Sequence, residues 1–359
     1  MTATMMDYIK KEKETNLKIF NQRKKLLANF LNDVKEKSFN RIVVLATGSS
    51  SNAIESARYF VSDLLDMEVS IKMPFVVSNY DSFVDNEALY FAVSQGGHSY
   101  STIEAVRDIQ QKSGQKVYTF TADVESPIAR VSGCPIDIGC GKENVGFVTM
   151  GMSATVLIFM LTGLELGLQM GRVSEEKYKE LCKKILDIIN YMDKVIDLSN
   201  IWYENIKTEL VNGFKFSAIG YGSGFGVAKE AETKITETVR RPMVGYELEE
   251  YMHGPYLALD QDSYIIFIDN NGRLRDRQRR LKNYLAEYTS HIFTICLSDE
   301  DGTIDAKTLN INFDADEHLG ALLLLIPIQV LAYRLPGDKG IDLSVKIFTD
   351  FDEKLKSKI

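Results

Sequence analysis

A chain of 359 residues, 45% hydrophobic and 26% charged, has a globular composition and is long enough for two domains with separate cores. Its formal net charge of −8 argues against a nucleic-acid or anionic-membrane binder and suits a small-molecule enzyme. The four cysteines, Cys134, Cys140, Cys182 and Cys296, lack the spacing of a metal site or redox pair, so reduced thiols and no metal are expected.

The opening MTATMMDYIKKEKETNL mixes acidic and basic residues and has no apolar signal-peptide core, so a cytoplasmic protein is expected. Residues 6–38, rich in Lys, Glu, Asn and Leu at helical spacing, predict a helical arm, with a boundary after residue 40. Then RIVVLATGSSSNAIESARYF, Arg41 to Phe60, passes from a β-branched run through Gly and Ser into an amphipathic stretch. That is the strand–turn–helix signal of a doubly wound sheet. Strands are predicted at Ile42–Thr47, Phe75–Ser78, Ala88–Ser94, Val117–Ala122 and Pro135–Ile138, within a first unit spanning 41–172.

The charged amphipathic segment Ser174–Leu210, within a linker at 173–210, predicts one or two connecting helices. FKFSAIGYGSGFGVAKEAETKI, Phe214 to Ile235, repeats the first signal. Strands follow near Phe216–Gly220, Met243–Tyr246, Tyr264–Asp269, Ile292–Leu297 and Ile311–Phe313, giving a second unit at 211–335. The apolar stretches Val145–Leu168 and Leu319–Tyr333 are broken by Gly and Glu165 or by Pro327, and predict buried core helices rather than membrane spans. Residues 336–359 form a charged tail punctuated by Pro and Gly. The expected class is α/β: a duplicated doubly wound unit, each copy a five-stranded parallel sheet flanked by helices.

In the first copy AVSQGGHSYSTIEAVRDI sets Ser94, Gln95, Ser99, Ser101 and Thr102 between a strand and a helix. Free N–H groups at a helix start, with hydroxyls around them, suit a phosphate without a lysine. The turn Gly48–Ser51 offers a second set of donors on the same sheet edge. The same residue types are also ordinary helix N-caps. GGHS is no Walker loop, and GYGSGFG lacks the register of a dinucleotide fingerprint, so no nucleotide cofactor is expected.

The segment GYGSGFGVAKEAETKITETVRRPMVGYELEEYMHGPYLALD, Gly220 to Asp260, resembles without a gap the isomerase half of glucosamine-6-phosphate synthase and its sugar-isomerase (SIS) relatives. The matching anchors are the opening Gly-x-Gly, Glu230, Lys234, Glu237, Tyr246, Glu250 and His253-Gly254-Pro255. ATGSSSNA and VSQGGHS are similar to the family's first unit, and PIQVLAY and KGID to its C-terminal helix. The resemblance implies two SIS subdomains. It implies that Glu237 moves a proton between C1 and C2 of a phosphosugar, that Lys234 orients the site and that His253 opens the sugar ring from a neighbouring subunit, making a homodimer the minimum. It further implies phosphate ligands at Ser50, Ser94, Gln95 and Ser99 with Ser49 beside them, a C-terminal lysine at Lys356, and no cofactor or metal.

The chain departs from the family pattern at two places. Gly96 replaces the second serine of the family's Ser-Gln-Ser-Gly, leaving backbone N–H groups or His98 to compensate. Gly146-Phe147-Val148-Thr149-Met150 stands where synthases carry Val-Ala-Ser-Thr-Lys, so the sugar or its amino substituent is expected to be held differently. With neither a synthase's glutaminase nor a regulator's helix-turn-helix in the sequence, a stand-alone duplicated SIS protein is expected.

MMDYIKKE and GIDLSVKIFTDFDEKLKSK resemble bacterial deglycases of 6-phosphorylated Amadori compounds, such as glucoselysine and fructoselysine 6-phosphate. That resemblance implies release of hexose 6-phosphate and a free amine. An amino-sugar-phosphate deaminase/isomerase or another ketose/aldose phosphate isomerase, and a non-catalytic phosphosugar sensor, are the alternative expectations.

Overall fold

Ile42, Val43, Val44 and Leu45 are consecutive and all buried, as in a strand covered on both faces. In the computed structural model, which describes residues 3–81, 83–298 and 305–359, they lie in the first strand of one of two parallel sheets. The chain divides into two compact units. The first comprises Glu14–Asn144, Met150–Lys183 and Lys346–Ile359; the second comprises Lys184–Val345, Val145–Thr149 and the start of the chain through Lys13.

The arm is α1 (Met5–Ile9), with a Thr4/Asp7 capping box, followed by α2 (Glu12–Val34). The first sheet takes β1 (Arg41–Leu45), β2 (Glu68–Lys72), β3 (Ala88–Val93), β4 (Val117–Thr121) and β5 (Pro135–Asp137) in the order β2-β1-β3-β4-β5, every pair parallel. Its helices are α3 (Ser49–Leu65), α4 (Pro74–Asn79), α5 (Tyr100–Ser113), α6 (Pro127–Ser132) and α7 (Met150–Gln169). The strand expected at Phe75–Ser78 is instead α4, and its place in the sheet belongs to β2. Pro74 at the first helical position favours the helix. EVSIK, charged at both ends and partly exposed, has the character of an edge strand.

A single 38-residue helix, α8 (Glu175–Asn212), leads to the second sheet. That sheet holds β6 (Lys215–Gly220), β7 (Met243–Glu247), β8 (Ser263–Asp269), β9 (Ile292–Cys296) and β10 (Thr308–Asn310) in the order β10-β9-β8-β6-β7, again all parallel. Read in chain order it repeats the first topology. The helices are α9 (Ser223–Val239), α10 (Leu248–Tyr251), α11 (Arg275–Leu285) and α12 (Ala321–Asp338), and α13 (Phe351–Leu355) lies in the tail. The last strand, expected at Ile311–Phe313, ends earlier. Ile311 and Phe313 still donate to Cys296 and Leu297, but Asn312 at φ 56° breaks the extended run.

Helices α7 and α12 are long and apolar enough to cross a membrane, yet 94% and 78% of their apolar windows are buried inside the protein. The four cysteines are free thiols.

Asp33 ties α2 to β4. Lys116 Nζ donates to it at 2.8 Å and the Tyr118 hydroxyl donates as well. These bonds hold the Asp33 carboxyl at about 2. A carboxyl lowered on folding stabilises the protein above its unfolded value near 4, and that contribution disappears as pH falls from about 4 towards 2. Asp33→Asn is therefore expected to lower the melting temperature at neutral pH and to flatten this part of the acid limb, as thermal unfolding at a series of pH values would show.

Candidate functional site

In the order β2-β1-β3 the crossovers leave β1 towards opposite sides of the sheet, which opens a crevice at the carboxyl ends of β1 and β3. All five residues expected to hold phosphate lie on the two segments that border it. Ser49 and Ser50 follow β1, and Ser94, Gln95 and Ser99 follow β3. Gly48 takes φ 56° and ψ −140°, and a Cβ there would have nothing within 4 Å, so backbone conformation rather than crowding calls for glycine.

The ordinary capping role does not account for these hydroxyls. No side chain caps α3, and Ser99, the residue preceding α5, does not cap that helix. Its Oγ accepts from Thr102 Oγ1 at 2.9 Å and lies 3.4 Å from Ser101 Oγ. Two helices thus begin at the crevice without a side-chain acceptor, the condition that suits an anion. Ser94 is 7% exposed, and its hydroxyl has no partner among the described residues.

The tail returns to the same loop. Ser99 pairs antiparallel with Lys358, Tyr100 N donates to Ser357 O at 3.2 Å, and Ile359 N donates to His98 O at 3.1 Å. His98 Nδ1 also lies 2.5 Å from Ile359 O. Lys356, exposed and at φ 50°, immediately precedes this short ladder. The fold therefore brings Lys356 next to the segment carrying Ser99, a proximity invisible in the spacing of the two residues.

In the second unit Lys234 and Glu237 touch, with Lys234 Nζ 2.6 Å from Glu237 Oε2 and 3.8 Å from Glu230 Oε1. The Lys234 and Glu230 side chains are each 1% exposed, whereas that of Glu237 is 43% exposed. The buried cation thus orients a carboxylate that remains open to a ligand. Glu237 lies in the last turn of α9, about 21 Å along the helix from its start at the β6 turn. His253 is elsewhere: it is exposed beyond α10, and its Nδ1 lies 2.9 Å from Glu249 O. Glu237 precedes β7 and His253 follows it, so a strand of about 16 Å separates the two segments. Among the described residues no hydrogen bond or ion pair joins Glu237 to His253.

The SIS domain profile matches residues 37–164 and again residues 215–335. The chain belongs to the SIS domain family. It is 24% identical over 316 residues to the glutamine–fructose-6-phosphate aminotransferase (isomerizing) of Bacteroides thetaiotaomicron, covering 87% of this chain and 51% of that protein. It thus spans about half the length of this curated relative. A Clostridium difficile 630 crystal structure, of a protein assigned as a phosphosugar isomerase, superposes with a TM-score of 0.88 at 31% identity and covers 98% of both chains. The C-terminal domain of the Francisella tularensis glucosamine-fructose-6-phosphate aminotransferase shares the fold, with a TM-score of 0.83 at 19% identity over 94% of this chain and 96% of that one.

The two SIS copies treat their crevices differently. In the second copy Asn270, fully buried, donates to Tyr221 O, Ser223 Oγ and Glu317 O. The Glu317 carboxylate accepts Arg273 N at 3.0 Å and Arg273 Nε at 2.7 Å. In this SIS copy a carboxylate of the chain itself takes a backbone N–H of the loop after β8. In the first copy Glu143 engages Gln95 Nε2 at 3.0 Å and the start of α7. Sequence inspection missed Glu143, because a glutamate in a loop ahead of an apolar helix has no distinguishing spacing.

Proposed function

We propose that the protein is a deglycase of 6-phosphorylated Amadori compounds, glucoselysine or fructoselysine 6-phosphate, releasing hexose 6-phosphate and a free amine. The observation that carries this reading is the half-exposed Glu237 carboxylate held at 2.6 Å by a lysine sealed from solvent. A base with that exposure and a fixed orientation suits a proton shuttle between adjacent carbons.

In the proposed reaction His253 assists ring opening. Glu237 takes the C1 proton of the open-chain ketosamine to give an enaminol and returns a proton to C2, which leaves an imine at C1. For the 2-amino aldose the two carbons exchange roles. Water adds to the imine and the amine departs with a proton. Ser49, Ser50, Ser94, Gln95 and Ser99 hold the 6-phosphate throughout, so binding energy from a remote group places C1 and C2. Lys356 is assigned a role at the same substrate, supported by the pairing of Ser99 with the neighbouring Lys358.

The exposed His253, whose contact is with Glu249 O rather than with Glu237, is compatible with a homodimer in which each site receives His253 from the second copy. A charged phosphosugar substrate suits a cytoplasmic enzyme. The C. difficile relative favours a second reading, interconversion of a ketose and an aldose phosphate without loss of an amine. Incubation with glucoselysine 6-phosphate, fructoselysine 6-phosphate, glucosamine 6-phosphate and fructose 6-phosphate separates the readings. Release of lysine is expected. Ammonia alone would identify a deaminase, and aldose–ketose exchange alone would identify an isomerase.

A further inference from the structure

We propose that Glu143 is a positioning residue for Gln95, fixing the amide that the loop after β3 presents to the substrate phosphate; this rests on the reading of that loop given above. Gln95 Nε2 donates to Glu143 Oε2 at 3.0 Å. One amide hydrogen is thereby engaged, and the Gln95 side chain also hydrogen-bonds the Cys140 thiol, so its direction is fixed from two sides. The same carboxylate accepts Met150 N at 2.8 Å and Gly151 N at 3.0 Å, at the start of the 20-residue α7. The positive end of that helix offsets the carboxylate charge, which would otherwise oppose a phosphate nearby.

The packing leaves Gln95 little freedom. A Cβ on Gly151 would fall 2.1 Å from Gln95 Nε2 and 2.9 Å from Glu143 Oε2. The duplication provides an internal comparison. Glu317, ahead of α12, takes the backbone N–H of Arg273 in the loop after β8. Glu143 takes a side chain of the matching loop rather than its backbone N–H groups. One acidic residue ahead of the last helix thus closes the second loop and braces the first.

The test measures binding of inorganic phosphate and glucose 6-phosphate to the full-length protein by calorimetry. Glu143→Gln, Gly151→Ala and Gln95→Ala are each expected to weaken both ligands about tenfold. They should raise KM for the turned-over phosphosugar with little change in kcat. Glu143→Gln added to Gln95→Ala should cost almost nothing further, since the two act as a unit. Where Glu143→Gln uncaps α7 and does not fold, Gly151→Ala, which keeps the carboxylate, carries the test. If Ser94→Ala and Ser99→Ala weaken phosphate while Glu143→Gln and Gly151→Ala do not, or if Glu143→Gln tightens binding, the positioning role is overturned. If the serine variants also leave phosphate affinity unchanged, the phosphate loop itself is wrong.

Discussion

Glu237→Gln is expected to lower kcat about a thousandfold while affinity for hexose 6-phosphate stays within about twofold, since a positioned general base contributes roughly 10² to 10⁴ in rate. The substitution preserves shape and removes only the proton-accepting charge. Ground-state affinity should hold because the residues assigned to phosphate all lie on the first unit's loops, whereas Glu237 belongs to α9 of the second. Stability should fall only modestly: glutamine keeps an oxygen that can accept from the buried Lys234, and Glu230 remains 3.8 Å away as its counter-charge. Solvent-exchange measurements supply the deciding readout. The unmodified protein should wash deuterium from water into C1 or C2 of the phosphosugar and the variant should not. A variant with unchanged turnover would remove Glu237 from the chemistry, and a protein with no turnover on any phosphosugar would point to a sensor.

Lys234→Met should be the most destabilising of the substitutions considered. The methionine fills much of the lysine's volume, but it leaves Glu230, 1% exposed, without the cation 3.8 Å away. Removing one partner of a buried pair costs up to about 3–5 kcal/mol, of which the other contacts of Glu230 offset a part. For a protein of this size that corresponds to a fall of roughly four to seven degrees in melting temperature. Glu230→Gln combined with Lys234→Met should recover much of the stability and none of the activity, since Glu237 would still lack its orienting cation. Calorimetric melts and kcat on the same preparations separate the two effects. If Lys234→Met melts like the unmodified protein, burial of this pair is not what holds α9 in place.

Much of the architecture was legible in local pattern. The β-branched runs at Ile42–Leu45 and Ile265–Ile268 predict strands, both buried in the structure, and Gly48 and Gly222 mark the turns into α3 and α9 at nearly the same positive φ. The errors fell where burial is partial. EVSIK at the sheet edge carries too little apolar pattern to predict a strand, whereas the more apolar FVVS predicts one and Pro74 turns it into a helix. The candidate site was legible to the extent that its residues lie close in sequence: Lys234 and Glu237 share one face of a helix because they are three residues apart.

By itself, then, the sequence determined two doubly wound units, the serines beside two strand ends and a Lys–Glu pair one helical turn apart, because strand and helix periodicities and glycine's backbone freedom are local properties. Only the tertiary structure decided the rest. It set the tail beside Ser99, engaged Gln95 with Glu143 and joined Glu317 to Arg273 in the loop after β8. Those outcomes depend on which strand ends and helix starts meet across long stretches of chain, and on which buried polar groups must find partners there. Neither requirement leaves a periodic trace in the sequence. The unequal treatment of the two copies, Glu143 bonding the Gln95 side chain and Glu317 the backbone of Arg273, became visible only in three dimensions.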